Sequence, residues 1–294
     1  MVFLRGTQVT LQSCATSARA IARSRRASET DASFPAQERR LSLKLITHNT
    51  YWFQGSPSLW GEEYTRAHPA IVASLIDLYG ELRADVLCLQ EVPGVKVFER
   101  LCAALGMDGV YAPGGERSVY GGGILWREMA GAVEDLTQRT VIDGRVFERI
   151  CLRLDLLRDG VPLTVVDLHL ASNRYAPDRQ GEPLRLAEVG ALFDACPEPD
   201  VVAGDFNARP DSGVYAEMIS RGFVDSGAGA NQHGRPNHRR IDYIWVRRDS
   251  VLTASDYSVV RGQDFRLAAK SPVDLSDHHP VSTALRQTEG VVGA

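Results

Sequence analysis

Short segments that are apolar on both faces of a strand most constrain the fold of this chain. Residues 86–89 (VLCL) and 201–203 (VVA) have no polar alternate position, so strands formed there must be covered on both sides. Other strand-like segments alternate polar and apolar residues and need one wetter face. Two sheets packed together, with helices on their outer faces, supply both environments.

Hydrophobic periodicity places strands and helices along nearly the whole chain after residue 41. Strands are predicted at 43–49, 85–91, 121–127, 146–156, 162–170, 200–205, 241–247, 255–260 and 280–285. Helices are predicted at 66–82, 94–105, 182–195 and 212–220. Because no Pro/Gly/Ser-rich linker interrupts this pattern, we expect a single domain over residues 41–288, followed by a short tail at 289–294.

Polar residues suited to binding a metal or a phosphate occur inside, just after or just before six of these strand-like segments. They are Asn49, Glu91, His169, Asp205 with Asn207, Asp242, and the pair Asp277-His278. Loops and strand ends commonly gather such groups into one cleft. The sequence therefore predicts a single polar site built from distant parts of the chain.

Hydrolysis of a phosphate ester needs a metal or other cations, a group that orients water, and help for the leaving oxygen. Glu91 follows a buried run, where a hard cation such as Mg²⁺ would balance its charge. Asp242 lies in an apolar strand and needs a cationic partner, for which His278 is a candidate. Asp277 could ligate metal or orient the imidazole ring.

Several of these residues also have a purely structural interpretation. Glu91 could be a salt-bridged strand end, Asn49 a turn former, and His169 a buried structural histidine. Residues 276–280 could form only a polar turn before an edge strand. Asp167, on the same strand face as His169, is not assigned to the site.

Six short motifs in order resemble the endonuclease/exonuclease/phosphatase superfamily, over residues of about 42 to 286. The motifs are 47–49 (THN), 89–92 (LQEV), 167–170 (DLHL), 204–207 (GDFN), 240–243 (RIDY) and 276–281 (SDHHPV). The resemblance implies an α+β fold: a four-layer αββα sandwich, with two mixed β-sheets face to face and helices on the outer faces. It also implies dependence on Mg²⁺ or Mn²⁺ and an active site at one end of the two sheets.

The resemblance further implies a role for each site residue. Asn49 and Glu91 resemble the metal-site residues, with Asp277 near the metal. His169 and Asn207 resemble groups that contact the phosphate and its transition state. Asp205 resembles the residue that orients or deprotonates the attacking water, and Asp242 with His278 resembles the family's Asp–His pair. Members similar to exonuclease III often carry an acid two positions after the first Asn, where this chain has Tyr51.

Loop residues near these motifs are expected to select the substrate. Trp52 could stack on a base or meet a lipid, or it could instead pack on the domain itself. The other candidates for substrate binding are Asn173, Arg174, Arg179 and Arg239.

We expect a phosphodiesterase acting on nucleic acid or a nucleotide-like ester. One alternative is a phosphatase or phospholipase-type hydrolase of a small-molecule, inositol or lipid phosphate, which the acidic body of the chain favours. Another is a non-catalytic binding module on the same fold. The sequence shows no obligate protein partner.

The distribution of charge and the cysteine content indicate a tail at residues 1–40 and the compartment of the protein. Residues 1–40 hold seven Arg and three acidic residues and are predicted to be a disordered tail, although they could resemble a transit peptide or touch nucleic acid. The remainder carries a net charge of −8. The five cysteines have no paired metal-ligand spacing and no apolar run is long enough to span a membrane, so we expect a cytoplasmic protein with reduced thiols.

Overall fold

The structure is a computed structural model that describes residues 12–13, 41–62, 65–175, 181–228 and 240–288. In chain order its strands are β1 (Gln12–Ser13), β2 (Ser42–Asn49), β3 (Val86–Gln90), β4 (Asp108–Ala112), β5 (Gly122–Trp126), β6 (Ala130–Asp135), β7 (Thr140–Ile142), β8 (Arg145–Val146), β9 (Cys151–Arg158), β10 (Val161–His169), β11 (Val201–Asp205), β12 (Phe223–Asp225), β13 (Asp242–Arg247), β14 (Leu252–Val259) and β15 (Val281–Gln287). The helices are α1 (Pro69–Leu82), α2 (Val95–Leu105), α3 (Glu182–Ala195) and α4 (Gly213–Ser220).

These strands form two large mixed sheets. The order in the first sheet is β1-β4-β5-β3-β2-β15-β14, and the order in the second is β12-β13-β11-β10-β9-β6. Strands β7 and β8 form a separate small hairpin.

Side-chain alternation along the strands divides the core into three layers. Leu45 of the first sheet and Val201 of the second belong to one buried cluster that fills the space between the sheets. Ile46, the neighbour of Leu45, instead packs in a cluster with residues of α1 and α2. Val202 likewise packs with residues of α3 and α4 on the far side of the second sheet. The predicted four-layer αββα sandwich is confirmed.

Local sequence signals set the helix boundaries. Helix α1 begins at Pro69, after the side chain of His68 accepts a hydrogen bond from the Ala70 amide. It therefore starts three residues later than the 66–82 range predicted from hydrophobic spacing. Helix α2 ends before Gly106, which adopts a left-handed conformation with φ of 62°.

Several strands differ from their predicted limits. The strand predicted at 146–156 begins only at Cys151, because residues 147–150 form a loop after the β7–β8 hairpin. Strand β6 was not predicted, because it lies at a sheet edge and is largely exposed. Gln12–Ser13, inside the predicted disordered tail, pairs with β4. The rest of residues 1–40, and 289–294, lie outside the described residues.

The pleat brings polar side chains into the space between the sheets at one end of the sandwich. In the second sheet His169, Asp205 and Asp242 are register partners on three adjacent strands. In the first sheet Asn49 pairs with Gln90 at the ends of the parallel strands β2 and β3. The apolar positions that precede these residues fill the core, so the polar row comes where the hydrophobic layer ends.

Two further expectations concern membrane association and the cysteines. No helix within the described ranges is long and apolar enough to cross a membrane. Cys88, Cys102, Cys151 and Cys196 are buried free thiols, as the sequence predicts, and Cys14 lies outside the described residues.

Candidate active site

Asp205 lies at the centre of the polar row and is 1% exposed. Its Oδ2 accepts a hydrogen bond from Asn49 Nδ2 at 3.0 Å and lies 3.2 Å from His169 Nε2 and 3.9 Å from His278 Nε2. Burial alone would raise the pKa of Asp205, but His169 and His278 outweigh burial and hold it below its usual range. Asp205 is therefore a buried carboxylate that stays ionised.

The backbone around Asp205 shows why Gly and Asn flank it. Gly204 has φ of 140°, and an added Cβ would overlap the carbonyl oxygen of Leu168 on the neighbouring strand. Only glycine lets β11 approach β10 this closely. Asn207 adopts the left-handed region with φ of 48°, and its amide donates to Asp205 Oδ1 at 2.8 Å. Asn207 Nδ2 donates to the Leu170 carbonyl at 3.0 Å, which fixes the side chain beside Asp205.

Asp242 and His278 form an ion pair at the edge of the same cluster. His278 Nδ1 lies 2.9 Å from Asp242 Oδ2 and 3.1 Å from Oδ1. Burial would lower the pKa of His278, but the carboxylates of Asp242 and Asp205 raise it well above its usual value. The ring is an imidazolium at neutral pH, and its Nε2–H is the donor that faces Asp205.

His169 is wholly buried between Asp205 and the guanidinium of Arg149. Burial, and then the charge of Arg149, lower the pKa of His169 to about 3. The neutral ring can donate from Nε2 to Asp205 or accept there from Arg149, and one nitrogen cannot do both.

Glu91, Asn49 and Asp277 form the acidic side of the cleft. Burial raises the pKa of Glu91 to about 7, the charge of Arg149 opposes that rise, and the Asp277 carboxylate adds to it. The Asn49 side chain, which faces Glu91, lowers the pKa of that carboxyl group. Asp277 is held in a turn that Ser276 ties to β2 through a 2.8 Å hydrogen bond to the Asn49 carbonyl. Two carboxylates are the hard donor set that Mg²⁺ or Mn²⁺ prefers, so Glu91 and Asp277 fit such an ion. Asn49 lies beside them, and its Oδ1 accepts a hydrogen bond from the Tyr51 amide at 3.1 Å.

A second group also has the spacing of a metal site. One ligand atom each from Asp205, Asp242 and His278 lie within 4.8 Å of one another. This group includes an imidazole nitrogen, whereas Mg²⁺ and Mn²⁺ prefer oxygen ligands. The donor chemistry therefore favours the side of the cleft that holds Glu91 and Asn49.

The residues predicted to bind substrate differ from one another in their exposure to solvent. Asn173 and Arg174 are exposed on the loop that follows His169, and Asn173 Oδ1 accepts from Arg185 Nη1 at 2.9 Å. Arg179 and Arg239 lie outside the described residues. Trp52 is only 2% exposed, and its Nε1 donates to the Val119 carbonyl at 2.7 Å. Its ring packs on the domain, the second of the two interpretations that the sequence allowed, and is not open to a substrate.

Arg149 and Tyr120 belong to the site but are absent from the sequence prediction. Arg149 is 4% exposed, with Nη1 3.5 Å from Glu91 Oε1 and its guanidinium 4.2 Å from the Tyr120 ring. Arg149 follows Glu148, and two adjacent charged residues are typical of an exposed surface. Only the burial of Arg149 in the structure identifies it as a site residue. Tyr120 directly precedes the strand predicted at 121–127, and no local pattern marks it as a site residue.

The sequence was also compared with known proteins. A model of the Endonuclease/Exonuclease/phosphatase family matches residues 46–278, which hold the whole cluster from Asn49 to His278. The chain belongs to this family. The curated proteins include no significant match to the sequence.

Solved structures of the endonuclease/exonuclease/phosphatase fold resemble this one at low sequence identity. The human Nocturnin catalytic domain with bound sulfate has a TM-score of 0.64 and 17% identity, covering 87% of this chain and 100% of its own. An endonuclease/exonuclease/phosphatase from Bacteroides vulgatus has a TM-score of 0.62 and 16% identity, covering 85% and 100%. A mannosyl-6-phosphatase from Bacteroides thetaiotaomicron has a TM-score of 0.57 and 16% identity, covering 83% and 99%. These likenesses establish the fold, and family membership supports phosphoester hydrolysis in general.

Proposed function

We propose that this protein is a metal-dependent phosphodiesterase that acts on nucleic acid or a nucleotide-like ester. The observation that carries the proposal is the environment of Asp205, an ionised buried carboxylate contacted by Asn49 at 3.0 Å and facing two imidazole rings. A carboxylate of this kind stays ionised at neutral pH and is suited to orient a water molecule for attack, although its lowered pKa makes it a weak proton acceptor. The proposed reaction is a single in-line attack of that water on phosphorus, without a covalent intermediate.

The other polar residues have complementary roles in the proposed reaction. The imidazolium of His278, held by Asp242, faces the centre and can stabilise negative charge on a phosphoryl oxygen or protonate the leaving oxygen. The guanidinium of Arg149 and the ring of His169 supply donors for the non-bridging oxygens. Asn207, fixed by its bonds to Asp205 and Leu170, adds an amide donor on the same side.

The metal is assigned to Asn49, Glu91 and Asp277. Mg²⁺ or Mn²⁺ bound there would neutralise phosphate charge and act as a Lewis acid on a non-bridging oxygen. The protein's own contribution at this position is to bury the Glu91 carboxyl group near that of Asp277, and burial first, then the Asp277 charge, raise the pKa of Glu91.

Exposed loop residues favour a diester over a monoester as substrate. A diester carries a second arm beyond the reacting phosphate, and the exposed segment from Asn173 to Tyr175 begins only four residues after His169. The competing proposal, a phosphatase or phospholipase-type hydrolase, is favoured by the charge of −8 on residues 41–294.

One substrate panel separates these activities. The purified protein is assayed with Mg²⁺, with Mn²⁺ and with EDTA on bis-p-nitrophenyl phosphate, p-nitrophenyl phosphate, DNA, RNA and sphingomyelin. The phosphodiesterase proposal expects metal-dependent cleavage of bis-p-nitrophenyl phosphate and of DNA or RNA. Cleavage of sphingomyelin without cleavage of either nucleic acid would support the phospholipase-type hydrolase. Cleavage of p-nitrophenyl phosphate alone would support the phosphatase instead, and no cleavage of any ester would support a binding module.

A further inference from the structure

The aromatic residue Tyr175 is linked to the reaction centre through Tyr120. The Tyr120 ring is 6.3 Å from the His169 ring between centroids and is itself buried. The hydroxyl groups of Tyr120 and Tyr175 are 2.9 Å apart, and the two rings meet edge to face at 6.0 Å. Tyr175 is therefore connected to the centre by a single buried residue.

Tyr175 is exposed and accompanied by cations. The residue is 39% exposed, although it lies beside a buried polar site. The guanidinium of Arg117 lies 4.2 Å from the centroid of the Tyr175 ring, and that of Arg174 lies 5.8 Å from it. The guanidinium of Arg117 stacks on the ring and places a positive charge beside it, which attracts an anion. The cluster thus offers a planar surface and positive charge together.

The loop that carries Arg117 is fixed to the segment that carries Arg149. The amides of Gly115 and Arg117 donate to the carbonyls of Arg149 and Glu148 at 2.8 and 2.9 Å. An added Cβ on Gly115 would overlap the Phe147 carbonyl oxygen, so this approach requires glycine. The position of Arg117 is therefore set by the same backbone that positions Arg149.

We propose that Tyr175, with Arg117 and Arg174, forms a subsite for the nucleobase of a nucleotide ester. This inference rests on the proposed phosphodiesterase function and narrows its substrate class to diesters with a nucleoside arm. An exposed aromatic ring stacks on any base, and arginines beside it attract the sugar-phosphate chain. A sugar or inositol phosphate has no aromatic face to match the ring of Tyr175.

Two chromogenic diesters with the same leaving group test the proposal. The value of kcat/KM is measured for the p-nitrophenyl ester of thymidine 5′-monophosphate and for methyl p-nitrophenyl phosphate. The wild-type protein should prefer the nucleoside ester, and Tyr175→Ala should reduce this preference by about 5- to 100-fold, as expected for loss of one stacked base. Tyr175→Phe, which keeps the ring, should retain most of the preference.

Arg117→Ala should also reduce the preference, whereas Arg221→Ala should not. Arg221 is a matched control, because it lies 4.6 Å from the Phe193 ring at the end of α4 and outside the site. Equal use of the two esters by the wild-type protein would overturn the proposal. So would a full nucleoside preference in folded Tyr175→Ala.

A binding measurement separates this subsite from the proposed reaction. Calorimetry compares thymidine 5′-monophosphate with methyl phosphate as ligands of wild-type protein and Tyr175→Ala. Failure to hydrolyse either ester would reject the phosphodiesterase, while weaker binding of the nucleotide alone by Tyr175→Ala would still support the subsite. Equal binding of the nucleotide by both proteins would reject the subsite.

Discussion

Asn49 and Asp205 lie 156 residues apart in sequence and in different sheets, and their side chains are joined by a 3.0 Å hydrogen bond. The bond spans the space between the two sheets at the end where the apolar layer stops. Since Asn49 also contacts Glu91, it connects the predicted metal residues to the predicted water-orienting carboxylate.

Replacement of Asn49 should therefore impair both functions. Asn49→Ala removes a donor to a buried carboxylate, and a hydrogen bond to a charged group contributes about 1.5–3 kcal/mol. We expect kcat to fall by about 10- to 100-fold and the Mg²⁺ concentration at half-maximal activity to rise. Steady-state kinetics across a metal titration measures both. A variant with wild-type kcat and metal dependence would show that the inter-sheet bond is only structural.

Substitutions of Asp242 and His278 should have non-additive effects on kcat. The charge of His278 depends on Asp242, whose carboxylate is 2.9 Å from Nδ1. We expect His278→Ala and Asp242→Asn each to lower kcat by about 10²- to 10³-fold, and the double variant to be little worse than His278→Ala. Independent, additive losses in the double-mutant cycle would contradict the proposed coupling.

Gly204 should be intolerant of any side chain. Gly204→Ala places a methyl group against the Leu168 carbonyl at φ of 140°. The expected cost is more than about 2 kcal/mol in the free energy of unfolding, accompanied by loss of activity because Asp205 is displaced. Gly190→Ala, on α3 with nothing within 4 Å of the added carbon, is the control and should not destabilise the fold. Urea denaturation compares the two, and equal stabilities would refute this account of the strand.

Glu188 should make stability depend on pH. Its two carboxylate oxygens accept from the amides of Glu148 and Ala171, each at 2.8 Å, and burial raises its pKa from 4.5 to about 7. The folded state thus holds a proton that the unfolded chain has lost. The stability that this proton contributes is fully present below pH 4.5 and is lost as the pH rises to about 7.

Removal of this carboxyl group should therefore cost less at high pH than at low pH. The difference in unfolding free energy between wild type and Glu188→Gln should shrink between pH 4.5 and 7 by on the order of 3 kcal/mol. Denaturant unfolding at several pH values measures it, with Glu217→Gln, at a partly exposed position on α4, as the control. A difference that stays constant with pH would exclude Glu188 as the titrating group.

The sequence predicted the fold where local patterns determine it. Segments 86–89 and 201–203 are short and apolar at every position, as expected for strands covered on both faces, and they lie at the centres of the two sheets. Strand β6 was missed because its stability comes from pairing with β9 rather than from its own sequence AGAVED. Edge strands of this kind depend on tertiary context.

The candidate site could be predicted only in part for the same reason. Asp205 and His169 end apolar strands, so their position follows from pleat and register. Arg149 and Tyr175 come from loops whose placement depends on distant backbone contacts, and no local pattern distinguishes them from surface residues. For Trp52 the sequence allowed either packing on the domain or contact with substrate, and its burial in the structure shows that it packs on the domain.

The most direct test of the account is the rate of diester hydrolysis by Asp205→Asn. This change removes the negative charge but keeps the size of a side chain that is 1% exposed. With saturating Mg²⁺ and bis-p-nitrophenyl phosphate, and with folding verified by circular dichroism, we predict a loss of about 10²- to 10⁴-fold in kcat. Turnover within a few fold of the wild-type rate would contradict the central claim that Asp205 orients the attacking water.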